Sequence, residues 1–406
     1  MGSRRLPGKK ALAAALVLGL AGLAAACTAE GEEAEELPTS TATAPSAAVA
    51  TATPDPFGTP PRDAKEAASR LAPILAKAAG PCSEAAALHA AWGAACASGD
   101  VDGNGLIDVA VLVPLPTGTG QTPHPGVVLL RREGREKLEQ FPPAGEADAS
   151  IVGRSIFAVA ERTGDGRADV VLLANACGAS TCSSRVYVQS WDGSAWRDLG
   201  PGEGMSGLGR IAFEGNGTGG RLVMHGGIIN SPGAGPQRAV TATYVFDGVR
   251  WGAKTVVPDE PTYLFHAIRD ADALFAQGKF EEASEAYRAA IESKELRDWR
   301  AEMSLPGGRE ELVAYALFRI AVAAAARGQD PSKAVDAVIR DGKSELFVNA
   351  AMAFRKGLQD QLSVNAGCLE VTQYLGTPGI PEMIERMFDY GFANHPLKGY
   401  RDICPL

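Results

Sequence analysis

The spacing of apolar residues changes character four times along the chain and divides it into five stretches. Residues 1–26 carry an unbroken small-to-apolar run, Ala11 to Ala26, behind the basic residues Arg4, Arg5, Lys9 and Lys10. Residues 27–63 show no apolar period and are acidic, then rich in Thr, Ala and Pro. In residues 64–90 the positions Ala68, Leu71, Ile74 and Leu75 fall at helical spacing and break at Gly80-Pro81, predicting one or two short helices. Across residues 91–258 the period drops to two, in short runs separated by glycine-rich turns, the texture of antiparallel strands. Residues 259–406 return to helical spacing.

Within the strand-like stretch a repeat is visible. "DVDGNGLIDVAVLV" from Asp100 recurs as "ERTGDGRADVVLLA" from Glu161 and, more faintly, as "FEGNGTGGRLVMHG" from Phe213. A second signature, an aromatic, Asp-Gly, two residues and Trp, recurs in "YVQSWDGSAW" from Tyr187 and "TYVFDGVRW" from Thr243. Asp-Gly between apolar residues is tight-hairpin chemistry, because glycine tolerates the positive φ such turns need. Each unit therefore reads strand, acidic glycine loop, strand, connector, strand, turn, strand. The first unit's turn is expected at Glu133-Gly134.

The first acidic loop has the composition of a calcium site. Calcium takes six to eight oxygens, carboxylates and backbone carbonyls together, from a backbone that turns sharply enough for alternate side chains to converge. Asp100, Asp102 and Asn104 alternate, Gly105 turns the chain, Leu106 offers its carbonyl and Asp108 completes the set. An EF-hand is excluded, because its twelfth position holds Val111, inside an apolar run. The second loop repeats the pattern more weakly with Glu161, Thr163, Asp165, the Arg167 carbonyl and Asp169. The third lacks a final acid and reads as a turn.

This combination resembles the FG-GAP or VCBS repeats of integrin-like β-propellers, over roughly residues 91–256. The resemblance implies calcium held between two strands. Three units fall short of the four to eight blades of closed propellers, so the expectation is a propeller-like or open array of three four-stranded units. An ion enclosed by its own hairpin leaves little open coordination, so Ca2+ is expected to be structural.

The last stretch, "LFHAIRDADALFAQGKFEEASEAYRAAIESKEL", is similar to a tetratricopeptide repeat. Small residues at Ala271, Gly278 and Ala283 permit close helix approach, and Leu274, Phe280 and Tyr287 fill the seam. A degraded copy follows, with a turn at Gly328, then a helix from Ser344 to Leu362 and a tail between Cys368 and Cys404. The resemblance implies an α-solenoid whose groove receives a protein or peptide ligand.

Composition adds location. The basic start and apolar run read as a signal peptide, too short to span a bilayer comfortably. Leu23-Ala24-Ala25-Ala26-Cys27 resembles the lipobox of bacterial lipoproteins, although Ala24 stands where that family prefers a large aliphatic residue. The resemblance implies lipid on Cys27 and an extracytoplasmic protein anchored to a membrane. Residues 27–63 then read as a disordered tether. Neighbour pairing of the other six cysteines, Cys82, Cys96, Cys177, Cys182, Cys368 and Cys404, gives three disulfides, as an oxidising compartment permits. The formal charge is −9, and −13 once the four basic residues of the leader are removed. Without a basic patch, this excludes nucleic acid as a partner.

No catalytic constellation stands out. Ser206 lacks G-x-S-x-G spacing and reads as loop. His225 and His266 show no partner acid at useful spacing, and Trp191, Trp196, Phe246 and Trp251 read as core between units. The expected function is that of a non-enzymatic binding or scaffold protein; the alternative is a cell-envelope polymer-acting enzyme or glycan-binding lipoprotein with its site on the β domain.

Overall fold

The computed structural model describes residues 57–114, 126–132, 135–139, 151–395 and 398–406, all within the compact unit Pro54–Leu406. The expected leader, Cys27 and the tether up to residue 56 lie outside the described residues, as does the Glu133-Gly134 turn.

Helices α1 (Ala64–Lys77) and α2 (Ala85–Trp92) open the described fold. Asp63 caps α1 by accepting the Glu66 N–H at 2.8 Å, satisfying one of the donors a helix start leaves orphaned. Three antiparallel sheets follow, each pairing its main strands in chain order. The first contains β1 (Ala95–Gly99), β2 (Asp108–Leu112), β3 (Gly126–Arg132) and β4 (Arg135–Glu139). The second contains β5 (Ile151–Ala160), β6 (Asp169–Cys177), β7 (Cys182–Trp191) and β8 (Trp196–Asp198). A short β9 (Gly204–Ser206) pairs with the start of β7, so Ser206 lies in a strand and not in the expected loop. Its Gly204 and Gly207 neighbours hid the pattern. The third contains β10 (Arg210–Glu214), β11 (Arg221–Gly226), β12 (Val240–Phe246) and β13 (Trp251–Pro258).

These sheets stack face to face, and the two-residue period of each central strand divides its side chains between two neighbours. Val109 and Val111 of β2 join Leu71, Leu75, Leu88 and Trp92 of the helices, while Ala110 and Leu112 join Val170, Leu172 and Tyr187 of the second sheet. Val171, Val186 and Val188 turn the other way, onto Leu222, Met224, Tyr244 and Trp251 of the third. The order of layers is helix pair, first sheet, second sheet, third sheet. Among the described residues no hydrophobic cluster joins the first sheet to the third, and the helix pair covers the face of the first sheet that a neighbouring sheet would otherwise cover. Trp191 and Trp196 fill the first inter-sheet layer, and Phe246 and Trp251 the second.

The helical region contains α3 (Leu264–Ala276), α4 (Phe280–Glu292), α5 (Trp299–Glu302), α6 (Arg309–Ala326), α7 (Ser332–Asp341), α8 (Glu345–Gln361), α9 (Val364–Leu375) and α10 (Ile380–Phe388). The α3–α4 and α6–α7 connections turn at glycines of positive φ, Gly278 and Gly328. Their backbone bonds match: Gly278 to Phe275 and Lys279 to Leu274 in one, Gly328 to Ala325 and Gln329 to Ala324 in the other. One core cluster runs from Leu264 to Cys404. The stretch after Cys368, expected as a tail, holds most of α9 and all of α10; Gly376, Pro378, Gly379 and Pro381 interrupt its apolar period. The three expected disulfides are present, Cys82–Cys96, Cys177–Cys182 and Cys368–Cys404.

Candidate functional site

The loop between β1 and β2 gathers carboxylates at a strand end. Asp100, Asp102 and Asp108 each place an oxygen within 4.8 Å of the others. Among the described residues this is the sole group of three acidic, histidine or cysteine side chains that converges so. Asp108, the first residue of β2, is fully buried and accepts the Val101 N–H at 2.8 Å. Asp100 accepts from Gly103 and Gly105, both at 2.8 Å, one on each oxygen. Gly103 and Gly105 adopt φ of 74° and 84°, a conformation other residues avoid. Asn104 is exposed, and its Oδ1 accepts the Leu106 N–H at 2.7 Å. Three of the five expected ligands thus converge through side chains, while Asn104 closes the turn at Leu106.

The second loop repeats these four bonds. Glu161 accepts the Gly164 N–H at 2.7 Å and the Gly166 N–H on its other oxygen. Asp165 accepts the Arg167 N–H at 2.9 Å, as Asn104 accepts Leu106. Asp169 is fully buried and accepts the Arg162 N–H at 2.9 Å, as Asp108 accepts Val101. Burial outweighs the hydrogen bonds from Ser190 and the Arg162 N–H and pushes the Asp169 carboxyl up to about 6. Thr163, in the place of Asp102, supplies a hydroxyl 3.5 Å from Glu161. Arg167 sends its guanidinium to the Trp191 carbonyl at 2.7 Å. Among the described residues only the first loop brings three carboxylates together, an oxygen-rich arrangement of the kind hard divalent cations favour.

The three loops touch in series. The Ala168 N–H donates to the Asp100 carbonyl at 2.7 Å, and the Gly217 N–H of the third loop donates to the Arg162 carbonyl at 3.0 Å. A Cβ on Gly164 would lie 2.8 Å from the Gly217 Cα, so this approach requires glycine. Arg162 stacks over Phe213, 4.7 Å from the ring centre. The Asp-Gly turns at Asp192 and Asp247 share this end of the sheets, because alternate connections of a meander lie at one end. The Cys177–Cys182 disulfide closes the opposite end of the second sheet.

In the helical region the face of α3 and α6 is covered by the chain's own last residues. Tyr390 stacks on Phe265 with ring centres 4.0 Å apart, and Phe388 meets Tyr315 edge-on at 5.0 Å. Arg319 donates to the Ile403 carbonyl at 3.1 Å, and the Cys368–Cys404 bond fastens the end to α9.

Sequence reasoning missed two polar groupings. His225 does have a partner acid: Asp259 stands 2.9 Å away, brought close by the end of β13 and invisible to local spacing. Asp272, Tyr287, Tyr315 and Arg319 form a buried network in which both tyrosine hydroxyls donate to Asp272. The signal for it was an ionic residue at the buried register of a helix, Arg319 between Phe318 and Ile320. Comparisons with protein-family models, with curated proteins and with solved structures find no match to this chain.

Proposed function

We propose that this chain is a non-enzymatic, extracytoplasmic binding or scaffold protein, anchored through lipid on Cys27, whose β loop end is stiffened by calcium and presents the interaction surface. The observation that carries the reading is the shared lattice of the two acidic loops, set in contact at one end of the stacked sheets. Three disulfides support an oxidising compartment. A cation at Asp100, Asp102 and Asp108 offsets the repulsion of three carboxylates and fixes the β1–β2 connection. The partner class is a protein, a peptide or an envelope glycan. Because the α3–α6 face is already covered, the reading places partner capture at the β loop end.

Crosslinking of the membrane-bound chain, with calcium and with chelator, tests this. Partner capture that requires calcium, together with release of Cys27→Ser from membranes, is the expected result. Capture indifferent to chelation, or a Cys27→Ser chain that stays on the membrane, overturns it.

A second reading, a polymer-acting enzyme, draws on a recess of about 700 Å³ between the second and third sheets, lined by Asp165, Asp192 and Asp198. Burial raises the Asp198 carboxyl, whereas hydrogen bonds from Ala195 and Ser194 hold Asp192 well below the usual carboxylate range. Both carboxylates already accept backbone N–H groups, which favours turn-making over acid–base roles. Hydrolysis of envelope glycan by the chain, lost in Asp198→Asn with the fold intact, would revive it.

A further inference from the structure

The C-terminal residues do not lie flat on α3. Beneath them is a cavity of about 470 Å³, open on one side, between one stripe of α3, Arg319 of α6 and the residues Phe388, Asn394, Lys398, Asp402 and Pro405. That volume falls within the roughly 300–1,000 Å³ of small-ligand sites. Two features of its walls indicate what fits.

The first is charge. Asp272 takes the hydroxyls of Tyr287 and Tyr315 and the Lys398 ammonium, the last at 2.8 Å. Arg319, only 2 % exposed, lies 3.7 Å from the same carboxylate and donates to the Tyr287 hydroxyl and the Ile403 carbonyl. Arg269 donates to the Asn394 carbonyl at 3.0 Å and forms no ion pair among the described residues. Asp402 also lines the recess and accepts the Gly399 N–H at 2.8 Å. Three cations, Arg269, Arg319 and Lys398, therefore face two carboxylates, an excess of one positive charge. Arg269 carries five N–H donors and Lys398 three, so each keeps donors beyond the bonds it already makes.

The second feature is apolar wall. Phe265 and Phe388 line the recess, with Ala273, Ala276 and Pro405. Two parts of the wall are anchored in advance. Cys404 is bonded to Cys368, and the Asn394 amide donates to the carbonyls of Tyr390 and Pro236, at 2.7 and 3.0 Å. Walls anchored in this way bind a small molecule with little ordering cost.

We propose that this cavity is a binding site for a small organic anion, a carboxylate carried on a short apolar body. Arg269 and Lys398 contact the carboxylate, and Phe265 and Phe388 hold the apolar part. Lys398 stays balanced by Asp272, so the excess positive charge of Arg269 selects the ligand's sign.

Titration calorimetry of the oxidised chain with octanoate, octylamine and octanol tests the site. Octanoate is expected to bind one to one, and the other two at least tenfold more weakly. Arg269→Gln, a change at a half-buried surface position, should weaken octanoate at least tenfold without moving the thermal melt. Equal binding of octanoate and octylamine, absence of octanoate binding, or an Arg269→Gln protein that binds octanoate like the parent overturns the proposal. The three-probe comparison on the parent chain decides the matter even where the variant does not fold.

Discussion

Asp108 and Asp169 hold equivalent places in successive units, the first residue of the second strand, each fully buried with one oxygen on the N–H that opens its loop. A buried carboxylate is costly unless hydrogen-bonded or paired with a cation. The difference between the loops is therefore informative: Asp102 completes a converging triad in the first, whereas in the second Thr163 stands in its place and the third carboxylate, Asp165, sits at the position of Asn104. Calcium at a hundredfold excess over its dissociation constant stabilises a fold by about 2.7 kcal/mol. The parent chain should thus melt several degrees higher in calcium than in chelator. Asp108→Asn, which keeps an acceptor for Val101 but removes charge, should erase that difference, as differential scanning calorimetry would show; Thr163→Asp should enlarge it. A second residue sets a pH dependence. His266 is buried, and burial first, then the nearby Arg238, lowers its pKa below 6.5; Arg269 adds to the same side, and the Asn394 amide and Pro236 carbonyl oppose it. The folded state then binds fewer protons than the unfolded state, so this contribution is complete above about pH 6.5 and is lost as the pH falls. Comparing melts at pH 7 and pH 5, the parent should lose more stability than His266→Phe. Equal losses would remove His266 from the acid response.

At the scale of elements, the β and helical regions are joined by backbone rather than by side-chain packing alone. The β11–β12 connection meets the segment after α10: the Phe392 and Ala393 N–H groups donate to the Gly233 and Ala234 carbonyls, both at 3.1 Å. A Cβ on Gly235 would stand 1.5 Å from the Tyr390 carbonyl oxygen. Gly235→Ala must therefore separate the two elements, and about 2–4 kcal/mol of stability should go with the overpacking and positive-φ strain. Gly105→Ala provides the control. It has a similar φ of +84° and nothing within 4 Å of the added carbon, so it should cost only about 1 kcal/mol. Denaturant midpoints for the pair check both values; equal losses would mean that strain, not the joint, sets the cost. This joint was not legible in the sequence, because it pairs residues about 160 positions apart through main-chain atoms, Phe392 with Gly233 and Ala393 with Ala234. The acidic loops were legible, since their hydrogen bonds span at most seven residues and the side chains that make them are the motif itself. The same locality rule sorts the disulfides, which join neighbouring cysteines, from the His225–Asp259 pair, which joins distant strands. It also explains α9 and α10, whose helical period is shortened by glycine and proline until only tertiary packing of Val371, Leu375, Ile384 and Phe388 supports it.

At the scale of the whole molecule, stacking three sheets in a row leaves the first sheet with a face that has no neighbouring sheet, and the helix pair α1–α2 covers it. Val109, Val111 and Val113 are each at most 1 % exposed because Leu71, Leu75, Leu88 and Trp92 lie on them. Burial of such side chains contributes about 1.5–3 kcal/mol each. Losing the cover therefore removes as much as the whole margin of roughly 5–15 kcal/mol by which a domain is stable. The helices before Ala95 are thus part of the β core. They do not behave as an adjustable lead-in, and the Cys82–Cys96 bond ties them to β1. A chain beginning at Pro54 should melt cooperatively at the temperature of the full chain. A chain beginning at Gly93, with Cys96→Ser to avoid a free thiol, should lose the cooperative transition of the first sheet and bind a hydrophobic dye. Leu71→Asp in the chain from Pro54 removes the thiol question altogether, since it leaves every cysteine paired while placing a charge under Val111. Cooperative melting of Leu71→Asp within a degree or two of the parent would show that the first sheet holds without its cover, and that the stack is stabilised from the second sheet alone.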